Sequence, residues 1–284
     1  VHLNLKLVDL DDADVLPSLL QPALRCRGGW TNVHKLTVCT RMLKSWGKLQ
    51  NVGAIKLTMF SALICHPNWC SQARLESAMY LHLLGPAMPE LRQLELDVCG
   101  IDLQGGALFT GLQLCTALVS LSLADYSISE GAAKAAAAAL ARLPSLKDVR
   151  LGTAEYASSS SPAILVEHLT ALTSLRFSDN SGEDPALLYT AAAHNPGLKS
   201  FWVGDEDCSA PSAASVEQLL LGCPSLSHIT FNYLSVHHDV FCTLVEHGSS
   251  LTSLCAFSMK TEAAQGAPAK QPSWTRLHLQ TEET

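Results

Sequence analysis

What this chain lacks narrows its chemistry before anything it contains. It has no basic excess: 19 lysines and arginines stand against 26 aspartates and glutamates, a net charge of −7, and only 16% of its 284 residues are charged. A protein that holds nucleic acid by the phosphate backbone needs a surplus of positive charge, so nucleic acid is not expected as the partner. Long apolar runs are missing as well. The Ala-rich stretch from Ala132 to Leu143 contains Lys134 and Arg142 and falls short of the ~20 residues that span a bilayer. No charged segment followed by an apolar core marks a secretion leader, and no membrane partner is expected. The nucleophile elbow Gly-x-Ser-x-Gly, the phosphate loop Gly-x-x-x-x-Gly-Lys and the metalloprotease helix His-Glu-x-x-His are absent. The chain is not expected to be an enzyme or to need a cofactor. An initiator Met is also missing before Val1, which reads as a fragment or a processed form.

What is present is repetition. The phrase apolar-x-x-apolar-x-apolar recurs as Leu91-Arg-Gln-Leu94-Glu-Leu96, Leu118-Val-Ser-Leu121-Ser-Leu123, Leu146-Lys-Asp-Val149-Arg-Leu151 and Leu172-Thr-Ser-Leu175-Arg-Phe177. It continues as Leu198-Lys-Ser-Phe201-Trp-Val203, Leu226-Ser-His-Ile229-Thr-Phe231, Leu251-Thr-Ser-Leu254-Cys-Ala256 and an incomplete Trp274-Thr-Arg-Leu277-His-Leu279. The starts from Leu91 are 27, 28, 26, 26, 28, 25 and 23 residues apart. Each phrase alternates as a half-buried strand does, and the segments between have helical spacing. Ser129 to Leu143 carries a Ser cap, an early Glu and strong helix formers. Ser161-Pro162 and Asp184-Pro185 open two more helices with proline in the first turn, and Ser212 to Leu221 and His237 to Glu246 complete the series. A proline two residues before the leading Leu, at Pro89, Pro144, Pro196 and Pro224, ends one element and presets entry into the next.

A period of 23 to 28 residues carrying this phrase is the signature of a leucine-rich repeat. Residues 91–257 resemble the ribonuclease-inhibitor-like class. The cadence in Asn195-Pro-Gly-Leu198 and Cys223-Pro-Ser-Leu226 is similar to that of the repeat halves of F-box leucine-rich-repeat proteins. The resemblance implies an α/β solenoid of nine or ten units, a curved horseshoe with parallel strands on the concave face and helices on the convex face.

Organisation is read as one continuous solenoid in three stretches. Residues 1–90 hold irregular repeats, since Val33-His-Lys-Leu36-Thr-Val38 and Val52-Gly-Ala-Ile55-Lys-Leu57 lie only 19 residues apart and 39 separate Val52 from Leu91. The surplus is assigned to an insertion near 65–84. Residues 91–257 are the regular array. Residues 258–284 are read as a flexible segment, polar from Thr261 to Ser273, followed by an edge strand at the Trp274 phrase. Leu3, Leu5 and Leu7 are expected to form an uncapped edge that another domain or subunit covers.

Ten cysteines would suit a disulfide framework, but Cys115 and Cys223 both stand three residues before a leading Leu. Cys99 stands eight after Leu91, where the repeat places Asn or Cys, as Asn180 does after Leu172. Repeat-equivalent cysteines read as small core residues, which points to a reducing, intracellular compartment, cytoplasmic or nuclear. Cys65, His66 and Cys70 cluster, but a structural zinc site needs four well-spaced ligands, and a loop burying Trp69 against the core accounts for them better. No metal is expected there or at His237-His238.

The candidate site is the outward row of the strands. The middle exposed position reads Lys56, Glu95, Ser122, Arg150, Arg176, Trp202, Thr230, Cys255 and His278. Most of this face is small and polar. Arg150, Arg176 and Trp202 should form a contiguous ladder, joined by Asp148, His228, Thr230 and Asn232, and Trp and Arg anchor protein interfaces. The competing reading is internal: Arg176 stacks on Trp202 and Arg150 pairs with Asp148, stabilising a solvated sheet. The expected function is non-catalytic recognition of a protein partner, or scaffolding, through the concave face. Alternatives are the substrate-recognition part of an F-box-type ubiquitin-ligase receptor, which needs an F-box outside this chain, and a structural subunit of a larger assembly. A GTPase-activating protein built on the same repeats would carry a long acidic tail, where this chain has only Glu282 and Glu283. Neither the partner's identity nor the oligomeric state is legible.

Overall fold

From Leu91 to Ala256 each phrase buries its three apolar residues on one side, and the computed structural model places strands on these phrases and on those at Val33 and Trp274. The structure describes residues 2–5, 35–39, 59–63, 90–102, 107–153, 161–178, 186–204, 210–260 and 275–279. Two compact units divide the chain, Val1–Leu146 and Lys147–Thr284. The boundary lies within the regular array, where the spacing of the phrases continues unchanged.

In the first unit the strands β1 (His2–Leu5), β2 (Lys35–Cys39), β3 (Met59–Leu63), β4 (Gln93–Asp102) and β5 (Ser120–Ser127) pair in parallel and in chain order. Helices α1 (Ala107–Leu112) and α2 (Glu130–Leu140) pack on one another. Parallel neighbours need a crossover connection, and α1 supplies the one from β4 to β5. Ser129 caps α2, its hydroxyl accepting from the Ala132 N–H at 3.4 Å, as the sequence leads one to expect.

One strand lies elsewhere than the phrase suggests. Lys35, Leu36 and Thr37 of β2 pair with Met59, Phe60 and Ser61, so the strand beside β2 is Met59–Leu63, within the overlapping phrase Leu57-Thr-Met-Phe60-Ser-Ala62, while Val52 to Leu57 lies outside the described residues. The outward middle position here is Ser61, between Thr37 and Glu95, and Lys56 does not occupy it. Both segments fit the phrase. Spacing separates them, because Leu57 lies 24 residues after Val33 and 34 before Leu91, which restores a full repeat on the N-terminal side and shrinks the surplus. Residues 64–89, including the Cys65 cluster and the 65–84 insertion, lie outside the described residues.

The second unit repeats the arrangement. Strands β6 (Asp148–Thr153), β7 (Ser174–Ser178), β8 (Ser200–Val203), β9 (His228–His237), β10 (Ser253–Lys260) and β11 (Arg276–Leu279) pair in parallel and in chain order. Between them lie α3 (Ser161–Glu167), α4 (Ala186–Ala192), α5 (Ala213–Gly222) and α6 (His238–His247), each packed on the next. Leucines 172, 198, 226 and 251 that lead the phrases are at most 1% exposed; burying each such side chain stabilises by about 1.5–3 kcal/mol.

Between repeats the joint is a backbone device set by the residue after the leading Leu. The Lys147 carbonyl accepts from both Thr173 and Ser174, that of Lys199 from Ser227 and His228, and that of Ser227 from Thr252 and Ser253. The hydroxyls of Thr173, Ser227, Thr252 and Thr275 add bonds to the carbonyls of Lys147, Lys199, Ser227 and Thr252. That is why Ser and Thr recur at this place in the phrase. Each strand is thereby locked to its neighbour in one register.

Candidate functional site

The register puts the sequence-predicted ladder together. Arg150 of β6 is the Cα partner of Arg176 of β7, Arg176 of Trp202 of β8, and Trp202 of Thr230 of β9. Adjacent strands lie about 4.8 Å apart, so the three long side chains rise from consecutive rungs. The guanidinium carbon of Arg176 sits 3.9 Å from the centroid of the Trp202 ring, a cation–π stack. Asp148 stands two residues before Arg150 on the same face of β6, and its Oδ2 is 3.6 Å from Arg150 Nη2. That is an ion pair too long to count as a hydrogen bond. Both contacts of the internal reading are therefore present, and both leave the ladder open: the Arg150 side chain is 51% exposed, Arg176 is exposed and Trp202 is half-buried.

The platform beneath is aromatic. Phe177 and Phe201, the inward neighbours of Arg176 and Trp202, are buried and meet edge-to-face with centroids 6.2 Å apart. Tyr189 of α4 packs on Phe201 at 5.4 Å. Such pairs add to the burial of their area, and they leave the backbone under Arg176 and Trp202 little room to shift. Partial burial, then the positive charge of Arg150, pull the pKa of Arg176 below the ordinary arginine range, while Asp148 pulls it the other way. An arginine stays charged throughout.

The other expected residues flank this core. Asp148, Ser174, Ser200, His228 and Ser253 are consecutive register partners, one row to the side. His228 is exposed, and its Nδ1 lies 2.7 Å from the Ser227 hydroxyl. Thr230 is half-buried between Trp202 and Cys255. Asn232, on the opposite flank, is tied down by its backbone: Gly204 adopts φ +137°, and a Cβ there would stand 1.8 Å from the Asn232 carbonyl oxygen. Sequence reading passes over Gly204, whose signal is a glycine directly after Phe201-Trp-Val203, where the strand must end against its neighbour.

Chemistry of other kinds finds little support in the geometry. Cys115, Cys223, Cys242 and Cys255 are free thiols, and burial pushes those of Cys115 and Cys223 up to about 11. Cys223 instead donates to the Ala192 carbonyl at 3.3 Å, the behaviour of a core residue. Cys242 Sγ lies 3.3 Å from His238 Nε2 within α6. Among the described residues no three His, Cys, Asp or Glu side chains converge as metal ligands, and no helix is long and apolar enough to cross a membrane. The side chain of Cys99, and Asn180, lie outside the described residues.

No protein-family model matches this chain, and no curated protein matches it. Solved structures do. An internalin from Listeria monocytogenes is similar over 96% of this chain and 70% of its own, at 18% identity and a TM-score of 0.54. The Toll protein of the Drosophila Toll–Spatzle complex is similar over 88% of this chain at 14% identity and a TM-score of 0.50. This chain spans 37% of that one. TLR13, in its complex with a single-stranded RNA, matches over 88% of this chain and 33% of its own, with 15% identity and a TM-score of 0.49. At such identities the likeness speaks for fold alone. Parallel strands in chain order, intervening helices, the repeated phrase and the internalin and Toll neighbours agree: the chain has the α/β leucine-rich-repeat fold.

Proposed function

We propose that this protein is a non-catalytic recognition module that binds a protein partner on the strand face of its second unit, centred on Arg150, Arg176 and Trp202. The observation that carries the reading is the stack of Arg176 on Trp202 beside Arg150, on three consecutive register-locked strands. Interface hot spots are enriched in Trp and Arg held on rigid surroundings, and repeat solenoids present extended surfaces for this use. The flanking His228, Thr230, Asn232 and Asp148 complete the face. Among proteins of the same fold, Toll is found in complex with Spatzle. The net charge of −7 disfavours nucleic acid on this surface. The buried free thiols of Cys115 and Cys223 suit a reducing, intracellular compartment.

The test is capture of partners by the full chain beside a Trp202→Ala, Arg176→Ala double variant. Partners lost only by the variant support the reading, and unchanged capture removes it. Ubiquitin-ligase adaptor subunits among the lost partners would extend the reading to an F-box-type receptor. Partners retained by both proteins would instead favour a structural subunit of a larger assembly.

A further inference from the structure

The ladder concentrates positive charge in a chain that is acidic as a whole. Arg150 and Arg176 occupy adjacent rungs. Among the described residues one carboxylate, Asp148, pairs with them, and its ion pair is with Arg150. Arg176 is held by the Trp202 ring. Among the described residues two guanidinium groups thus share one carboxylate, within a chain whose acids outnumber its bases, 26 to 19. Like charges this close repel, and an anion placed over both relieves the repulsion while gaining two charge-assisted contacts. Stacking engages the π face of a guanidinium and leaves the N–H edge to bond a carboxylate. The rows on either side are low: Ser174 and Ser200 on one flank, Ser178 and Gly204 on the other. Over β7 and β8 a peptide backbone can therefore lie beside Arg176 and Trp202 without a large side chain in its way.

Resting on the proposed recognition face, we infer that the partner presents an acidic segment whose Asp or Glu carboxylate bridges Arg150 and Arg176, with an adjoining apolar side chain against Trp202. A protein segment suits the patch better than a polyanion, because two arginines hold one or two carboxylates, while the net −7 of the chain repels an extended phosphate chain.

The experiment is selection of a displayed random-peptide library on the full chain, followed by titration of the recovered peptides on Arg150→Gln, Arg176→Gln, Arg176→Lys and Trp202→Ala. The expected peptides are rich in Asp and Glu, and each glutamine variant weakens them about tenfold or more, the scale of one charge-assisted contact. Raising the salt to ~0.5 M weakens them further, as screening requires. Arg176→Lys falls between, since it keeps the charge and loses the planar fork. Lys134→Gln, on α2 of the first unit, changes nothing. Neutral or basic peptides that lose binding to Trp202→Ala but not to the glutamine variants overturn the acidic partner and leave the recognition face standing. Peptides indifferent to all four substitutions, or a selection that returns none, overturn both.

Discussion

At the scale of single residues, the second unit holds a few positions where substitution is costly. Gly204 is one, because its φ of +137° and the Asn232 oxygen, only 1.8 Å from where a Cβ would stand, leave no space for alanine. Gly204→Ala should cost about 3 kcal/mol or more, by strain and displacement together. It would be read as a lowered midpoint in urea at unchanged slope. Asn195 is another: fully buried, it accepts the Leu172 N–H at 3.3 Å through Oδ1. The equivalent N–H of Leu198, Leu226 and Leu251 bonds instead to the carbonyl three residues before it. Asn195→Ala should destabilise by about 1–3 kcal/mol by orphaning a buried donor, and the Leu172 amide should then exchange with solvent faster. The thiols of Cys115 and Cys223 make a pH prediction. Burial raises both in the folded state to about 11 from an ordinary 9, so the unfolded chain releases these protons first. The stability they support is fully present below pH 9 and is lost as pH rises towards 11. The loss is of order 2–3 kcal/mol for each thiol. Denaturation midpoints that stay flat across that window in wild type, or fall equally in a Cys115→Ala, Cys223→Ala variant, would contradict this.

At the scale of elements, the sequence carried most of the fold because each repeat states its own strand in three apolar positions and its own helix in a cap. Ser129 and Ser212 cap α2 and α5 as their positions suggest. Leu175 and Phe177, like Ile229 and Phe231, point inward as alternation demands. The misread strand at β3 shows the limit of pattern. Val52-Ile55-Leu57 and Leu57-Phe60-Ala62 satisfy it equally, and only spacing from the neighbouring phrases and pairing with β2 separate them. Alternation was equally silent on strand length: β9 pairs with β10 beyond its phrase, to His237, after a shift of register, and runs straight into α6. Cross-strand contact sets that extension, and no local signal encodes it. The helix layer is as tightly fitted as the sheet. A Cβ on Gly222, at the end of α5, would meet the Ala193 carbonyl oxygen at 2.3 Å, just past α4. Gly222→Ala should push the two helices apart and cost about 1–3 kcal/mol, seen in thermal unfolding.

At the scale of the whole molecule, function rests on what the repeats bring to one face. The Arg150–Arg176–Trp202 ladder was legible because register in a repeat array follows from the phrase alone. The stack of Arg176 on Trp202 could be named from that register as one reading among two. The aromatic platform of Phe177, Phe201 and Tyr189 and the Gly204–Asn232 clamp could not, since each depends on rotamers and approaches that only packing decides. Exposed Leu187 on α4 makes the helix side the natural rival surface. Site-specific photo-crosslinking separates the two most directly, with benzoylphenylalanine placed at Thr230, the register partner of Trp202, or at Leu187. Recognition on the strand face predicts that partners crosslink through position 230 and not 187, and that the crosslink vanishes when Trp202→Ala is added. Crosslinks at 187 with none at 230 would contradict it.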